Sequence, residues 1–153
     1  MTHPSVADMW QRFRALHPEA PAETPLAYHF CDNSADAKTC ADLVVKGQKQ
    51  ATAASLAELE MAGYPVARTG DYAVVTDFEG VACAVIRTTT VEIRRLGDVD
   101  AQFAWDEGEG DRSLEWWREA HLAYYRRVLA DSGIPVDDEL MIACERFETL
   151  FVD

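Results

Sequence analysis

"VACAVIRTTTVEIRRL", residues 81–96, is the longest run of β-branched side chains in the chain. Val, Ile and Thr suit a pleated surface, so the run predicts one long bent strand or two short strands joined at a bulge. A shorter β-rich run at residues 72–78 precedes it between two turns, and residues 141–152 alternate as a closing strand would. Together these runs predict a sheet.

Helical patterns interrupt the strands rather than alternating with them regularly. Each has a start signal, a stop signal, or both. The segments are Ser5 to Pro18, Asn33 to Gly47, residues 55–63 closed by Gly63, and Ser113 to Gly133. Short strands mixed with helices in this way predict an α+β domain built around a small, mostly antiparallel β-barrel flanked by helices.

The length of 153 residues predicts a single domain over 1–153. Residues 1–25 form a helical extension followed by the connector "PEAPAETP" at 18–25, whose prolines favour extended chain. No charged and then apolar leader is present, and no apolar run approaches the roughly 20 residues of a membrane span. We therefore expect a cytoplasmic protein without a membrane partner.

The charge balance limits the possible partners. The formal net charge is −13, from 27 acidic and 14 basic residues. Affinity for a phosphate backbone comes largely from Lys and Arg, so duplex DNA is excluded as a partner, whereas a small nucleoside or a short single strand of RNA is not. The four cysteines are scattered without metal-ligand spacing, and no P-loop or GxGxxG is present, so no metal and no cofactor are predicted. The oligomeric state is left open.

"GQKQATAAS", residues 47–55, combines one lysine and one threonine with almost no bulk. Its small residues would let a ligand approach the backbone, so Gly47, Lys49 and Thr52 are candidate site residues. Positions that are three apart on a regular strand point to opposite faces, so Lys49 and Thr52 face one ligand only if the chain bends. The alternative is a surface lysine and an ordinary strand threonine.

A second candidate region is "AWDEGEGD", residues 104–111. Glu107 could transfer a proton and Glu109 could contact a substrate, because well-placed carboxylates act as general acids or bases. Mg²⁺ or Ca²⁺ could also use such oxygens, although the spacing is not that of an EF-hand. The remaining alternative is a solvated loop in which Asp111 favours the start of the next helix. The glycines at 108 and 110 favour a pocket wall.

The helix after Ser113 carries the remaining candidate ligand contacts, which are Trp116, Arg118, His121 and Tyr124. Aromatic rings can stack on a base, and Arg or His can bind a carbonyl or a phosphate. His121 and Tyr124 share an apolar helix face, so a packed core is the competing interpretation for them.

In combination, "GQKQATAAS", "GDYAVV", "TTTVEI" and "DVDAQFAWDEGEGDRSLEWWREAH" resemble the ASCH domains, a branch of the PUA-like small barrels. The resemblance runs from about Leu43 to Tyr125 and on to the last strand, and so covers most of the chain. It implies a PUA-like fold with a cleft for RNA or modified nucleosides. Some small members of the family hydrolyse N4-acylcytidines, and others act on RNA.

The resemblance to the small amidohydrolases implies that Lys49 is the base, Thr52 the nucleophile and Glu107 the proton-transfer group of a metal-independent reaction. A charged Lys49 that stabilises an oxyanion is the alternative, since nearby carboxylates favour the ammonium. We therefore expect a hydrolase of an N4-acylcytidine-type nucleoside. An RNA-binding protein or ribonuclease acting on short single strands is the second hypothesis, and a non-catalytic nucleotide-binding module is the third.

Overall fold

The structure, a computed structural model, describes residues 1–153 and combines five helices with five strands. The helices are α1 (Pro4–Leu16), α2 (Ser34–Val45), α3 (Leu56–Ala62), α4 (Ala101–Glu107) and α5 (Leu114–Val128). The strands are β1 (Ala27–Tyr28), β2 (Ala51–Ser55), β3 (Tyr72–Thr76), β4 (Ala82–Arg95) and β5 (Met141–Val152), and a 3₁₀ turn (Leu96–Asp98) follows β4. The α+β class is confirmed.

The five strands form one mixed sheet in the order β1-β3-β4-β5-β2. β1 runs parallel to β3, whereas β3 pairs with β4 and β2 pairs with β5 in antiparallel fashion. The sheet is not closed between its edge strands β1 and β2. Closure into a barrel therefore stays a prediction.

The long β-branched tract forms a single strand, β4, with one irregularity near its start. Val75 pairs with Ala84 and Thr76 pairs with Ala82, so Cys83 is the extra residue of a bulge. β3 ends at Thr76, two residues before the predicted end of the run. The predicted closing strand at 141–152 is confirmed as β5.

The chain divides into two compact units, and the expectation of a single domain stays a prediction. The first unit comprises residues 1–48, 70–87 and 148–153, and its core places Trp10 and Phe13 of α1 beside Val74 and Val85. The second unit comprises residues 49–69 and 88–147. Its core is built largely on α4 and α5, with Trp117 and Tyr125 fully buried.

Two helix boundaries differ from the predicted ones. α1 begins at Pro4, and the His3 imidazole accepts a hydrogen bond from the Ser5 backbone, so His3 rather than Ser5 is the N-cap. Proline suits the first helical position because it has no N–H to satisfy and its φ is already helical. α5 begins after Ser113 as predicted, but it ends at Val128, well before Gly133.

α2 ends in a tight turn immediately before the segment that carries Lys49. The Gln48 N–H donates to the Leu43 carbonyl at 2.9 Å, and the Gly47 N–H donates to the Val44 carbonyl at 3.0 Å. Gly47 has a φ of +78°, which glycine adopts without strain, and the pair of bonds forms a Schellman motif. The turn stops the helix before β2 begins.

No helix combines the length and the apolar character that crossing a bilayer requires. None of the four cysteines forms a disulfide, and Cys40 and Cys144 are buried. Burial raises the pKa of the Cys144 thiol to about 12, and the nearby Glu107 carboxylate adds to this effect. The thiolate, which is the reactive form, is therefore scarce at this position.

Candidate functional site

Lys49 is the centre of a buried cluster in the second unit. Its side chain is only 1% exposed, and Nζ lies 2.7 Å from Oε2 of Glu109 and 3.8 Å from Oε2 of Glu107. Nζ also donates a hydrogen bond to the Ala51 carbonyl at 2.7 Å. All of these neighbours are acceptors, and an ammonium offers donors only, so the geometry suits a charged lysine.

Glu107 is placed beside Lys49 by the end of α4. Gly108 adopts a left-handed φ of +73°, which ends the helix directly after Glu107. The neighbouring Asp106 anchors this helix end, since its carboxylate accepts from Arg146 Nε at 2.9 Å and its carbonyl accepts from the Gln50 N–H at 2.8 Å. The helix end is therefore tied to both β2 and β5.

His121 of α5 completes the cluster from the other side of Glu107. Its Nε2 lies 3.2 Å from Oε2 of Glu107, and its Nδ1 lies 2.8 Å from the Trp117 carbonyl oxygen. A carbonyl can only accept, so Nδ1 carries a hydrogen, and Nε2 faces a carboxylate oxygen. This contact is favourable only when a proton lies between the two groups, on one or the other.

Electrostatics at His121 agree with that arrangement. Burial lowers the pKa of His121, but the carboxylates of Glu107 and Glu109 and the bond to the Trp117 carbonyl outweigh it, so the pKa is raised above 6.5. The imidazole also stacks on Trp117, with ring centroids 4.0 Å apart. Trp117 thus fixes the plane of the ring and the hydrogen on Nδ1.

Glu107 has unused acceptor capacity. Its side chain is 1% exposed, Oε2 contacts His121 and Lys49, and Oε1 is buried without a hydrogen-bond partner. Its ion-pair contacts to Lys49 and His121 are the only polar contacts that hold it. A buried carboxylate oxygen without a hydrogen bond reduces the stability of the fold, so the site favours a ligand or a water that donates to it.

Thr52 lies on β2, next to the cluster in sequence. β2 pairs with β5 at every residue from Ala51 to Ser55, and Phe147 N–H donates to the Gln50 carbonyl, so the chain is extended through Thr52. The turn occurs at Gly47, before Lys49. Ala51 and Ala53 pack towards the core of the second unit, so strand alternation places Thr52 on the opposite face. Its hydroxyl makes no hydrogen bond to Lys49 or Glu107.

A glycine-rich loop brings Glu109 to Lys49. Gly110 has a φ of +58°, and a Cβ there would lie 2.2 Å from Cε2 of Trp116. Trp116 therefore packs directly against the loop backbone, and its position supports Glu109 rather than an open ligand surface. Asp111 accepts from the Ser113 N–H at 2.8 Å, and hydrogen bonds from Ser113 lower the pKa of Asp111.

The remaining predicted site residues have contacts of their own. Gly47 belongs to the first unit, where it forms the α2 turn. Arg118 makes an exposed ion pair with Asp138 at 2.7 Å. Tyr124 is partly buried against the core, with its ring edge-on to Tyr125. The structure therefore joins Lys49, Glu107, Glu109 and His121.

Two further residues, Tyr125 and Glu58, lie near this cluster. Tyr125 is fully buried and donates from its hydroxyl to the Ala53 carbonyl at 2.9 Å, so Lys49 and Tyr125 satisfy alternate carbonyls along the outer edge of β2. Glu58 of α3 lies close enough to His121 and Tyr125 for their charges to interact. The spacing from Ser55 to Glu58 is that of a capping box, which explains Glu58 without a functional role.

Comparison with known proteins shows which family this chain resembles. The sequence matches the ASCH domain family over residues 26–151. The structure is similar to an ASCH domain from Lactobacillus crispatus JV V101, with 27% identity and a TM-score of 0.85 over 97% of this chain and 95% of that one. Protein EF3133 from Enterococcus faecalis V583 is 30% identical, with a TM-score of 0.86 over 97% of this chain and 89% of that one. No curated protein matches the sequence significantly.

Proposed function

The chain belongs to the ASCH domain family, and on this premise we propose that it hydrolyses the amide of an N4-acylcytidine-type nucleoside without a metal ion. The products would be a cytidine and a carboxylic acid. The proposed reaction takes place at the Lys49, Glu107 and His121 cluster of the second unit. We also propose the cytoplasm as its location and a closed PUA-like barrel as its finer architecture.

The observation that carries this proposal is the state of Glu107. It is a fully buried carboxylate whose Oε2 contacts an ammonium and an imidazole, while its Oε1 has no hydrogen-bond partner. A substrate that brings an N–H to this position would satisfy an acceptor that is otherwise left open. The exocyclic nitrogen of an acylated cytosine carries such an N–H next to the bond that would be cleaved.

Proton transfer is assigned to Glu107 and His121 as a pair. In the proposed reaction the nucleophilic hydroxyl bonds to the acyl carbon and gives its proton to Glu107, and the carbonyl oxygen becomes an oxyanion. The C–N bond then breaks as the exocyclic nitrogen receives a proton from the pair. A positioned acid or base of this kind contributes about 10²- to 10⁴-fold in rate.

Lys49 is assigned to the oxyanion rather than to the base. Its ammonium contacts Glu109, Glu107 and the Ala51 carbonyl, all of them acceptors, so the nitrogen is protonated and has no lone pair with which to act as a base. A buried cation that is held rigidly stabilises developing negative charge without reorganising. Of the two roles that were open from the sequence, this geometry favours the charged stabiliser.

Thr52 is assigned as the nucleophile on the family resemblance. The role requires the acyl carbonyl to bind near the face of β2 that carries Thr52. Water would then hydrolyse the acyl-Thr52 ester, releasing the acid and restoring the hydroxyl. If water attacks directly, the same cluster serves and Thr52 is dispensable, so a Thr52→Ala variant separates the two routes.

The alternative in which the protein acts on short single-stranded RNA has less support from the contacts. Phosphates are bound chiefly by Lys and Arg. The chain carries a formal net charge of −13, and Arg118 already pairs with Asp138. A free nucleoside is therefore the preferred substrate class, and RNA is a direct arm of the test.

The test incubates the purified protein with N4-acetylcytidine and, separately, with a short single-stranded RNA. Release of cytidine and acetate is measured for the natural protein, Lys49→Met, Thr52→Ala and the exposed control Lys38→Met. We expect turnover of the nucleoside, a loss of at least about 100-fold in Lys49→Met, and no loss in the control. Nucleoside turnover that is unchanged in Lys49→Met would refute the site. RNA cleavage without nucleoside turnover would favour the ribonuclease alternative.

A further inference from the structure

Two of the four cysteines touch each other in the first unit. Sγ of Cys31 lies 3.6 Å from Sγ of Cys40, and both residues belong to the segment 1–48 of that unit. The sulfurs of a disulfide are about 2.05 Å apart, so the two thiols need to approach by only about 1.5 Å to form one. Neither sulfur has a role in the proposed reaction.

The backbone holds Cys31 beside α2. Its φ of +65° lies in the left-handed region, which residues other than glycine seldom adopt and in which they are strained. Two residues later Asn33 caps the helix, since its Oδ1 accepts from the Asp36 N–H at 2.9 Å and its Nδ2 donates to the Asp36 carboxylate at 2.8 Å. The cap fixes the turn on the start of α2, so local structure keeps the two thiols together.

The two thiols differ in their access to solvent. Cys40 lies on the buried face of α2 and is 2% exposed, whereas Cys31 is only partly buried. A small oxidant from solvent therefore reaches Cys31 first, and Cys40 is placed to react with the sulfur that touches it. An accessible cysteine poised next to a resolving cysteine is the arrangement that redox-sensing proteins use.

The other two cysteines provide comparisons within the same chain. Cys83 is also partly buried, but its Sγ donates to the Val81 carbonyl at 3.4 Å, and burial raises its pKa. Cys144 is buried, and its pKa is raised further. The thiolate is the form that attacks an oxidant, so both should react slowly. Cys83 therefore controls for exposure without a neighbouring thiol contact.

We propose that Cys31 and Cys40 are a dithiol that a hydroperoxide converts into an intramolecular disulfide, independently of the proposed function. The Cys31 thiolate first attacks one peroxide oxygen. The O–O bond breaks and the departing oxygen takes up a proton, which leaves a sulfenic acid on Cys31 and releases water or an alcohol. The Cys40 sulfur then attacks the Cys31 sulfur and loses its proton, and the hydroxyl departs as water. The two thiols together lose two electrons, which reduce the peroxide.

The disulfide would close the loop from residue 31 to residue 40. A closed loop has fewer conformations in the unfolded chain, so the oxidised protein should unfold at a higher urea concentration than the reduced protein. A thiol reductant exchanges with the disulfide and restores both thiols, so the modification is reversible.

The experiment treats the reduced natural protein with hydrogen peroxide, alkylates the remaining thiols in urea and maps the tryptic peptides by mass spectrometry. Trypsin cleaves after Lys38, so Cys31 and Cys40 fall on separate peptides, residues 15–38 and 39–46. We expect these two peptides to be joined, with Cys83 and Cys144 alkylated, and dithiothreitol to release them. Cys83→Ala should form the same link. Oxidation of Cys83 before Cys31, or conversion of Cys31 to a sulfinic acid without the link, would overturn the proposal.

A second variant tests the order of the two steps. In Cys40→Ala the resolving thiol is missing, so Cys31 should remain a sulfenic acid, which dimedone captures. The natural protein should give at least about tenfold less dimedone adduct, because Cys40 consumes the sulfenic acid. Equal amounts of adduct in the two proteins would show that Cys40 does not resolve Cys31. Circular dichroism checks that Cys40→Ala is folded, and the peptide map of the natural protein tests the link without any variant.

Discussion

Nε2 of His121 lies 3.2 Å from a buried carboxylate oxygen of Glu107, while Nδ1 of the same ring faces the Trp117 carbonyl. The pair holds a proton in a place that solvent hardly reaches. Because burial alone lowers the pKa of His121, its raised value depends on the neighbouring carboxylates, of which Glu107 is the main contributor. The pair is therefore a coupled unit and not two independent groups.

We predict that Glu107→Gln lowers the pKa of His121. Without Glu107 the effect of burial gains over the weaker effect of Glu109, so the pKa of His121 should fall. NMR titration of the imidazole resonances measures it. Glu119→Gln, an exposed change on α5, is the control and should leave the value unchanged. An equal pKa in the natural protein and Glu107→Gln would contradict the pairing.

Glu58 should make stability depend on pH. Because burial raises the pKa of Glu58 in the folded protein, its favourable contribution to the free energy of unfolding is fully present below the ordinary pKa of 4.5. That contribution is lost as the pH rises through about 7. Glu58→Gln removes the cost of the buried charge, so at about pH 8 it should be more stable than the natural protein by about 2 kcal/mol. At about pH 4.5 the two should be similar. Urea unfolding of both proteins at the two pH values measures their free energies of unfolding. A stability difference between them that is the same at both pH values would exclude titration of Glu58 as its cause.

Removing the Lys49 ammonium should destabilise the fold. Lys49→Met leaves the buried Glu107 and Glu109 without their cation, and breaking one side of a buried ion pair costs about 3 to 5 kcal/mol. Lys38→Met removes a surface ion pair to Asp42 and should cost less than about 1 kcal/mol. Urea unfolding of both variants gives the comparison. Equal stability in the two variants would mean that Lys49 is not a buried charge.

The loop that carries Glu109 should tolerate no side chain at Gly110. Gly110→Ala would place Cβ against the Trp116 ring on a backbone with a φ of +58°, so we expect a loss of about 2 to 4 kcal/mol. Gly133→Ala is a matched control, since its φ is +76° but no atom lies within 4 Å of the added Cβ. The control should lose only about 1 kcal/mol from backbone strain. Similar losses in both would show that Trp116 does not support the loop.

The sequence predicts the elements whose signals are local. The Asn33 and Ser113 caps, the Gly63 stop and the strand at 141–152 each depend on a few neighbouring residues, and all are present, although three consecutive residues of β5 are buried rather than alternate ones. α4 was missed because its short run also forms the acidic motif, and its N-cap, Asp100, was not considered. β1 is two residues long and exists only through pairing with β3, which lies far along the chain.

The candidate site was predictable in its residue types and less so in its geometry. Lys49, Glu107, Glu109 and His121 meet in space, and each was a sequence candidate. Which residues share a contact depends on where α4 and α5 place them, and short-range patterns carry no such information. Glu58 was missed because its spacing from Ser55 already has a structural explanation.

The most direct test of the central claim is the rate of cytidine release from N4-acetylcytidine by the natural protein and by Glu107→Gln, with folding of both checked by circular dichroism. The buried carboxylate that carries the proposed reaction is then the only group changed. We predict measurable turnover by the natural protein and a loss of at least about 100-fold in kcat/KM in Glu107→Gln. No turnover by the natural protein, or equal turnover by a folded Glu107→Gln, would contradict it.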